Sequence, residues 1–444
     1  MTEIVSIAGA IRSRSRLFNW LAHLVQVNPN EIAAVAWSWL YIFSIFLAYY
    51  VLRPIRDELG ISGGVNNLPW LFTGTLVAMI VVSPLFSWLV KCWPRERFIA
   101  VAYRFFMLNL ALFVVLLSNA GVEQQVWIGR AFFIWVSVFN LFVISVFWSF
   151  VVDVFNGEQA KRLFGLLATG ATLGGLAGSA LTSGLVDVLG HNWLAVISIV
   201  LLEVAVLATR RLSMISDAFK RPLEQRDEGQ PLGGSVLAGI LRTFRSPYLI
   251  GISLFILCYS ATSTILYFQQ ATIVESNFTD RAARIAFFAN INLWVNGLTL
   301  VIQLFMTGRI MGWIGVTFTL CALPLISMFG FASMAAFPTL AVFLVLQVAR
   351  NVSNYALTRP AREVLFTAVT REDRYKTKNF IDTVVYRSGD QIAAWGYAGL
   401  LAIGLSFTAI AMLAVPLSAL WLALAFLLGR TQRKWEQQQQ TPVS

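Results

Sequence analysis

The chain has 444 residues, of which 58% are hydrophobic and only 12% charged, and its formal net charge is +11. Its mean hydropathy is +0.71. A globular domain is about a quarter charged, so a soluble enzyme is excluded and the solvent must largely be lipid. In such a chain, excess basic charge points to loops at a membrane surface before it points to nucleic acid.

The first stretch, 1–31, carries no signal-peptide pattern and is read as part of the mature chain. Arg12, Arg16, Asn19 and His23 recur there at helical spacing opposite Ile7, Ile11, Phe18, Leu21 and Val25. This is the pattern of an amphipathic helix lying on the cytoplasmic leaflet. A spanning helix needs about 20 apolar residues. Twelve such runs follow, at 32–52, 68–90, 98–118, 126–152, 163–189, 193–209, 248–274, 285–307, 313–335, 339–365, 379–404 and 406–429. The hydrophilic stretch 210–247 divides them six and six, which predicts an N-terminal half at 32–209, a cytoplasmic linker, a C-terminal half at 248–429 and a tail at 430–444. The fold class is thus an all-α polytopic membrane protein.

Of the 33 Lys and Arg residues, 23 fall on the side of the termini and five on the other: Arg53, Arg56, Arg130, Arg281 and Arg284. The positive-inside rule then places both termini in the cytoplasm of a bacterial inner membrane. The remaining five, Arg104, Arg350, Arg359, Arg362 and Arg387, lie within predicted spans. Cys92, Cys258, Cys321, His23 and His191 are scattered, with no metal-ligand spacing, so neither a metal nor another cofactor is expected. A membrane-embedded enzyme would need convergent nucleophile, base or metal groups, and none are found. Nothing in the sequence specifies an oligomer, and a monomer suffices.

The two halves overlay with an offset of 214–218 residues: AYYVLRPIRDE at 48–58 falls on LYFQQATIVES at 266–276, and Lys91 on Arg309. Two parallel six-helix halves joined by a cytoplasmic linker resemble the major facilitator transporters. That resemblance implies a site between the halves, lined by spans 1, 4, 7 and 10.

Charges inside a span cost about 2.5–3.5 kcal/mol each on insertion scales and face a cavity or a partner. In ARNVSNYALTRPARE at 349–363, Asn351, Asn354 or Tyr355, Thr358 and Arg362 share one helical face, with Arg350 near mid-depth. Arg359 and Glu363 are four apart and can pair. Arg362 then has no local acid, so it is either a ligand for an anion or a snorkelling arginine. Span 11 carries Asp382, Arg387 and Asp390. Arg387 and Asp390, three apart, form a structural salt bridge or, less readily, a proton relay. Asp153, Glu158, Lys161 and Arg162 after span 4 mirror this cluster and brace a cytoplasmic gate. Asp57 and Glu58 follow Arg53 and Arg56 at the outer end of span 1, where the arginines can pair with them or attract anions. Tyr259, Ser263, Tyr267 and Gln270 form a polar stripe on span 7, and Asn292, Asn296, Thr299 and Gln303 one on span 8. Gly170, Gly174 and Gly178 form a close-packing seam.

LRPIRDELG (52–60), FWSFVVDVFNGEQAKRLFGLLATGA (147–171) and NYALTRPAREVLFTAVTREDRYKTKNFIDTVVYRSGD (354–390) resemble the ATP/ADP translocase family of plastids and intracellular bacteria. Arg53, Arg56 and Asp57 match that family's LRxxKD motif, with Arg56 for lysine. Arg362 and Glu363 match its FDxxKE motif, with Arg362 for lysine and Arg359 for aspartate. The intramembrane glutamates of spans 4 and 7 are replaced by Val136 and Tyr267. The resemblance implies an exchanger of a small anionic solute, nucleotide or otherwise phosphorylated, with Arg53, Arg56 and Arg362 at matching motif positions; Arg350 and Asn354, read from the polar part of span 10, complete the candidate binding residues. The missing glutamates place ATP behind other phosphorylated anions. The alternative is a proton-coupled carrier or exporter of an unrelated solute.

Overall fold

The computed structural model describes residues 28–92, 95–155, 157–219, 243–366, 377–378 and 380–440. Some side chains within these helices, Asp153 and Lys161 among them, lie outside the description, so the gate expected there is not described. Most of the predicted amphipathic segment and of the linker likewise falls outside the described residues.

Twelve helices follow in order. They are α1 (Ile32–Ser62), α2 (Leu68–Cys92), α3 (Arg95–Asn119), α4 (Val122–Val154), a long element Gly157–Phe219, α7 (Pro247–Asn277), α8 (Arg281–Phe305) and α9 (Thr307–Ala336). In the long element, α5 (157–189) and α6 (191–219) meet at Gly190, whose φ of 73° is left-handed and suits a residue without Cβ. α10 comprises Leu340–Ser353, a π turn at Asn354–Thr358 and Arg359–Leu365. α11 comprises a π turn at Ile381–Val385 and Tyr386–Ala402, and α12 is Phe407–Gln440. Ten stretches of the described residues are long and apolar enough to cross a membrane, one of which, Leu163–Ile215, holds both α5 and α6. The protein is a multi-pass membrane protein of two six-helix halves. In hydrocarbon every backbone donor must be satisfied internally, and helices alone achieve this without closing a barrel.

The face on which α1 begins and α12 ends is termed proximal, and the opposite face distal. α1 continues ten residues past the predicted end at 52, to Ser62. Arg53 and Arg56 therefore stand inside a helix and not in a loop, which corrects their assignment to the far surface. Their charges end the hydropathy run, but helix α1 is held beyond it by the buried Leu59 and Ile61.

α1 lies directly on α5. A Cβ added to Gly174 would stand 2.5 Å from the carbonyl oxygen of Phe43, and one on Gly178 2.6 Å from that of Leu47. Absence of side chains here lets two backbones meet, as in small-residue contacts of membrane helices. The N-terminal half packs around Tyr41, Tyr103, Phe139 and Phe147, and the C-terminal half around Phe255, Leu320 and Trp421. A third apolar cluster joins the halves near the distal face, where Ile61, Leu71 and Phe133 meet Phe268, Val274, Phe288 and Tyr397.

Gly174→Ala should therefore lower the melting temperature of the purified protein, by an overpacking cost of about 1–3 kcal/mol. Gly184→Ala, whose Cβ would meet nothing within 4 Å, should not lower it. Equal melting temperatures for the two variants would contradict the close contact.

Candidate substrate site

A cavity of about 240 Å³ lies between the halves, lined by α1, α2 and α4 on one side and α7, α8, α10 and α11 on the other. Spans 1, 4, 7 and 10 contribute, as the transporter resemblance implies, together with three further helices. The titratable side chains on its wall, tyrosines aside, are Arg53, Arg56, Asp57, Arg350, Arg387 and Asp390.

On α1, Arg53 and Arg56 are one turn apart and project to the same side. Arg56 grips its neighbour Asp57, with Nη2 2.6 Å and Nε 3.0 Å from Oδ1, and its guanidinium lies 4.9 Å from the centre of the Phe133 ring. Tyr267, from the other half, donates its hydroxyl to the same Asp57 oxygen at 3.2 Å. Arg53 lies over the Tyr50 ring at 5.6 Å, and its Nε is buried with no hydrogen-bond partner.

Arg350 on α10 is 3% exposed. Its Nε donates to Ser327 at 3.0 Å, and its Nη2 to Thr262 at 2.7 Å, Ser263 at 3.0 Å and the Tyr259 carbonyl at 3.3 Å. These partners are dipoles, and no carboxylate is among them. The Tyr259 ring adds a cation-π contact at 5.6 Å. Asp390 on α11 accepts from Ser260 at 2.5 Å and Thr264 at 3.3 Å through Oδ1, and from Arg387 at 3.4 Å through Oδ2. The Arg387–Asp390 pair expected from sequence is thus present, embedded in hydroxyls the sequence reading passed over. Ser260 and Thr264 are four apart on α7, a spacing that marks a second polar stripe beside the one formed by Tyr259, Ser263, Tyr267 and Gln270. All four residues of that first stripe line the cavity.

The other predicted residues are placed elsewhere. Arg362 is not without an acid: its Nη2 meets Asp382 of α11 at 3.2 Å, and it faces a small side pocket with Asn354 and Arg359. Asn354 donates to the Tyr259 hydroxyl at 2.9 Å. The π turn at Asn354–Thr358 explains the displacement, because one extra residue per turn rotates everything after it by about 100°. Asn351 and Tyr355, before and within the turn, face the cavity, and Arg362, beyond it, does not. The expected Arg359–Glu363 pair is also replaced: Arg359 lies over the Tyr355 ring at 4.6 Å, and Glu363 accepts from Lys378 at 2.5 Å. Arg104 pairs with Glu203 at 2.6 Å between α3 and α6, on the outer surface. Val136 is fully buried in the N-terminal half, while its neighbours Phe133 and Ser137 line the cavity. Its loss of a glutamate therefore leaves the cavity wall unchanged.

One turn beyond the cavity, Glu58 is wholly buried and pairs across the halves with Arg284 at 3.1 Å and Arg281 at 3.4 Å. Sequence reasoning attached Glu58 to Arg53 and Arg56. Its partners are 223 and 226 residues away, beyond what local spacing can reveal. Together with Thr73, which donates to Gln391 at 3.0 Å and accepts from Trp395 at 3.1 Å, this joins the two halves on the distal side of the cavity.

A family model described as Major Facilitator Superfamily matches residues 34–394. No curated protein matches the chain in sequence. Among crystal structures, a bacterial homologue of the iron transporter ferroportin in an inward-facing state is 12% identical with a TM-score of 0.64, covering 92% of this chain and 99% of that one. The nucleoside transporter NupG is 13% identical with a TM-score of 0.58, covering 92% and 100%. A bacterial homologue of the human lysosomal transporter Spinster, inward-facing and unoccupied, is 15% identical with a TM-score of 0.57, covering 92% and 99%. At these identities the likeness is one of fold.

The Arg362–Asp382 contact should behave as a coupled pair. Arg362→Gln and Asp382→Asn should each lower the melting temperature, and the double variant should melt no lower than the worse single one, for a coupling of about 0.2–1 kcal/mol. Additive losses would show that the two side chains act separately.

Proposed function

Because the chain belongs to the Major Facilitator Superfamily, we propose that it is a secondary active transporter that carries a small anionic solute across a bacterial inner membrane by alternating access. Two arginines without a carboxylate partner among the described residues, Arg53 on one half and Arg350 on the other, face one cavity between the halves, and this is the observation that carries the reading. An anion placed between them would be held by both halves at once, which is what couples binding to their relative movement. At an effective dielectric of about 20, a unit anion 4 Å from one guanidinium gains about 4 kcal/mol before desolvation. Arginine also offers a fork that matches phosphate or carboxylate.

The residues 32–209 and 248–429 form the two moving halves, and the basic linker and both termini lie in the cytoplasm. With the distal end closed by Glu58, Arg281 and Arg284, the conformation is inward-facing. Among anions, a phosphorylated metabolite other than ATP fits best: Tyr267, where the translocase family has a glutamate, supplies a neutral donor to Asp57. Arg362, bound to Asp382 outside the cavity, is assigned to bracing α10 against α11 and not to the ligand.

A thermal-shift screen of the purified protein against phosphorylated metabolites and dicarboxylates identifies the solute, and uptake into vesicles tests its transport. Arg53→Gln and Arg350→Gln should each weaken binding by about 10- to 150-fold, the range for a charged hydrogen bond of about 1.5–3 kcal/mol, while Arg362→Gln should change it by less than about threefold. Unaltered affinity in both of the first two variants would rule out the anion site. For the closure, Glu58→Gln should speed modification of a cysteine at Ser137 by an impermeant thiol reagent applied from the distal side, in a background lacking Cys92, Cys258 and Cys321. No acceleration would mean that Glu58 does not hold the distal end shut.

A further inference from the structure

The wall of the cavity carries a definite charge. Four arginines and two aspartates line it. Each aspartate is taken up by an arginine next to it: Asp57 by Arg56 at 2.6 Å, Asp390 by Arg387 at 3.4 Å. Arg53 and Arg350 are left over, one on each half. Arg350 is solvated by three hydroxyls and a carbonyl, which orient it without cancelling its charge. Of the neighbouring charged groups, Arg359 adds a further cation over the Tyr355 ring, unpaired among the described residues, but it is exposed outside the lining and so screened by solvent. Glu58 is committed to Arg281 and Arg284 beyond the cavity, and Arg362 and Glu363 to Asp382 and Lys378.

An open cavity tolerates two surplus positive charges because water screens them. A closed one does not, since net charge stripped of water at membrane depth is costly. The solute that lets the cavity close is therefore one that brings two negative charges. We propose that the transported solute is a small organic dianion, of the phosphate monoester or dicarboxylate class, selected over monoanions and more highly charged anions by the surplus of Arg53 and Arg350. Phe72, Phe133 and Phe288 on the same wall supply an apolar surface for its carbon skeleton. This rests on the anion-site reading above and specifies its charge.

Three probes sharing one ring separate the possibilities at about pH 8: phenyl phosphate, its monomethyl ester and phenyl diphosphate, of charge about −2, −1 and −3. Titration calorimetry on the full chain should find phenyl phosphate tightest by about tenfold or more, a preference of at least about 1.4 kcal/mol. Asp390→Asn, which raises the surplus by one, should move the optimum to phenyl diphosphate. Arg53→Gln, which lowers it by one, should move it to the methyl ester. Asp57→Asn serves as a second surplus-raising variant should Asp390→Asn fail to fold. Equal affinity for all three probes, or an optimum that stays put in the folded charge variants, would overturn the dianion while leaving the anion site intact. No binding of any probe by the wild-type protein would overturn both.

Discussion

A charge held at membrane depth must meet an opposite charge, a set of dipoles or water, and the arginines of this bundle meet that demand in three different ways. Arg56, Arg387, Arg362 and Arg104 each meet a carboxylate. Arg350 meets hydroxyls contributed by α7 and α9, so its position ties three helices of one half together. Arg53 keeps an unpartnered nitrogen. The first group stabilises the bundle, the second orients a charge without neutralising it, and the third leaves one at the cavity wall without a carboxylate partner among the described residues.

These roles converge on α1. Its first half presses its backbone onto the glycines of α5, and its last turns carry Arg53, Arg56, Asp57 and Glu58. The packed half and the charged half belong to one continuous helix, with Pro54 inside it. The cavity-facing arginines and the Glu58 contact with α8 are thus about one turn apart on a single helix. A displacement of α1 at the cavity therefore also moves Glu58 relative to its partners on α8.

Much of this was legible in the sequence where the physics is local. Apolar runs of sufficient length marked the spans, three glycines four apart marked a close-packing seam without naming its partner helix, Arg350 was too deep to reach the surface, and Arg387 with Asp390 lay at pairing distance along one helix. Reading failed where the information is not local. The length of α1 was underestimated because hydropathy stops at Arg53, although packing continues. Glu58 found partners in the other half, and Glu363 found Lys378, 15 residues further along the chain, neither of which spacing along a helix can specify. Val136 looked like a change in the site, yet its side chain points into the core, and Ser137 beside it holds the cavity position.

The π turns in α10 and α11 bear on how the two halves are compared. Among the described residues both occur in the C-terminal half. A π turn is what a single inserted residue leaves behind when a helix absorbs it without breaking. An alignment of one half on the other that admits no one-residue gap within these helices slips by one position past each turn. A slip of one position turns the matched side chains by about 100°, so a ligand residue is equated with one facing lipid or a neighbouring helix. Correspondences between the halves of this chain therefore have to be drawn helix by helix, and redrawn on either side of each π turn.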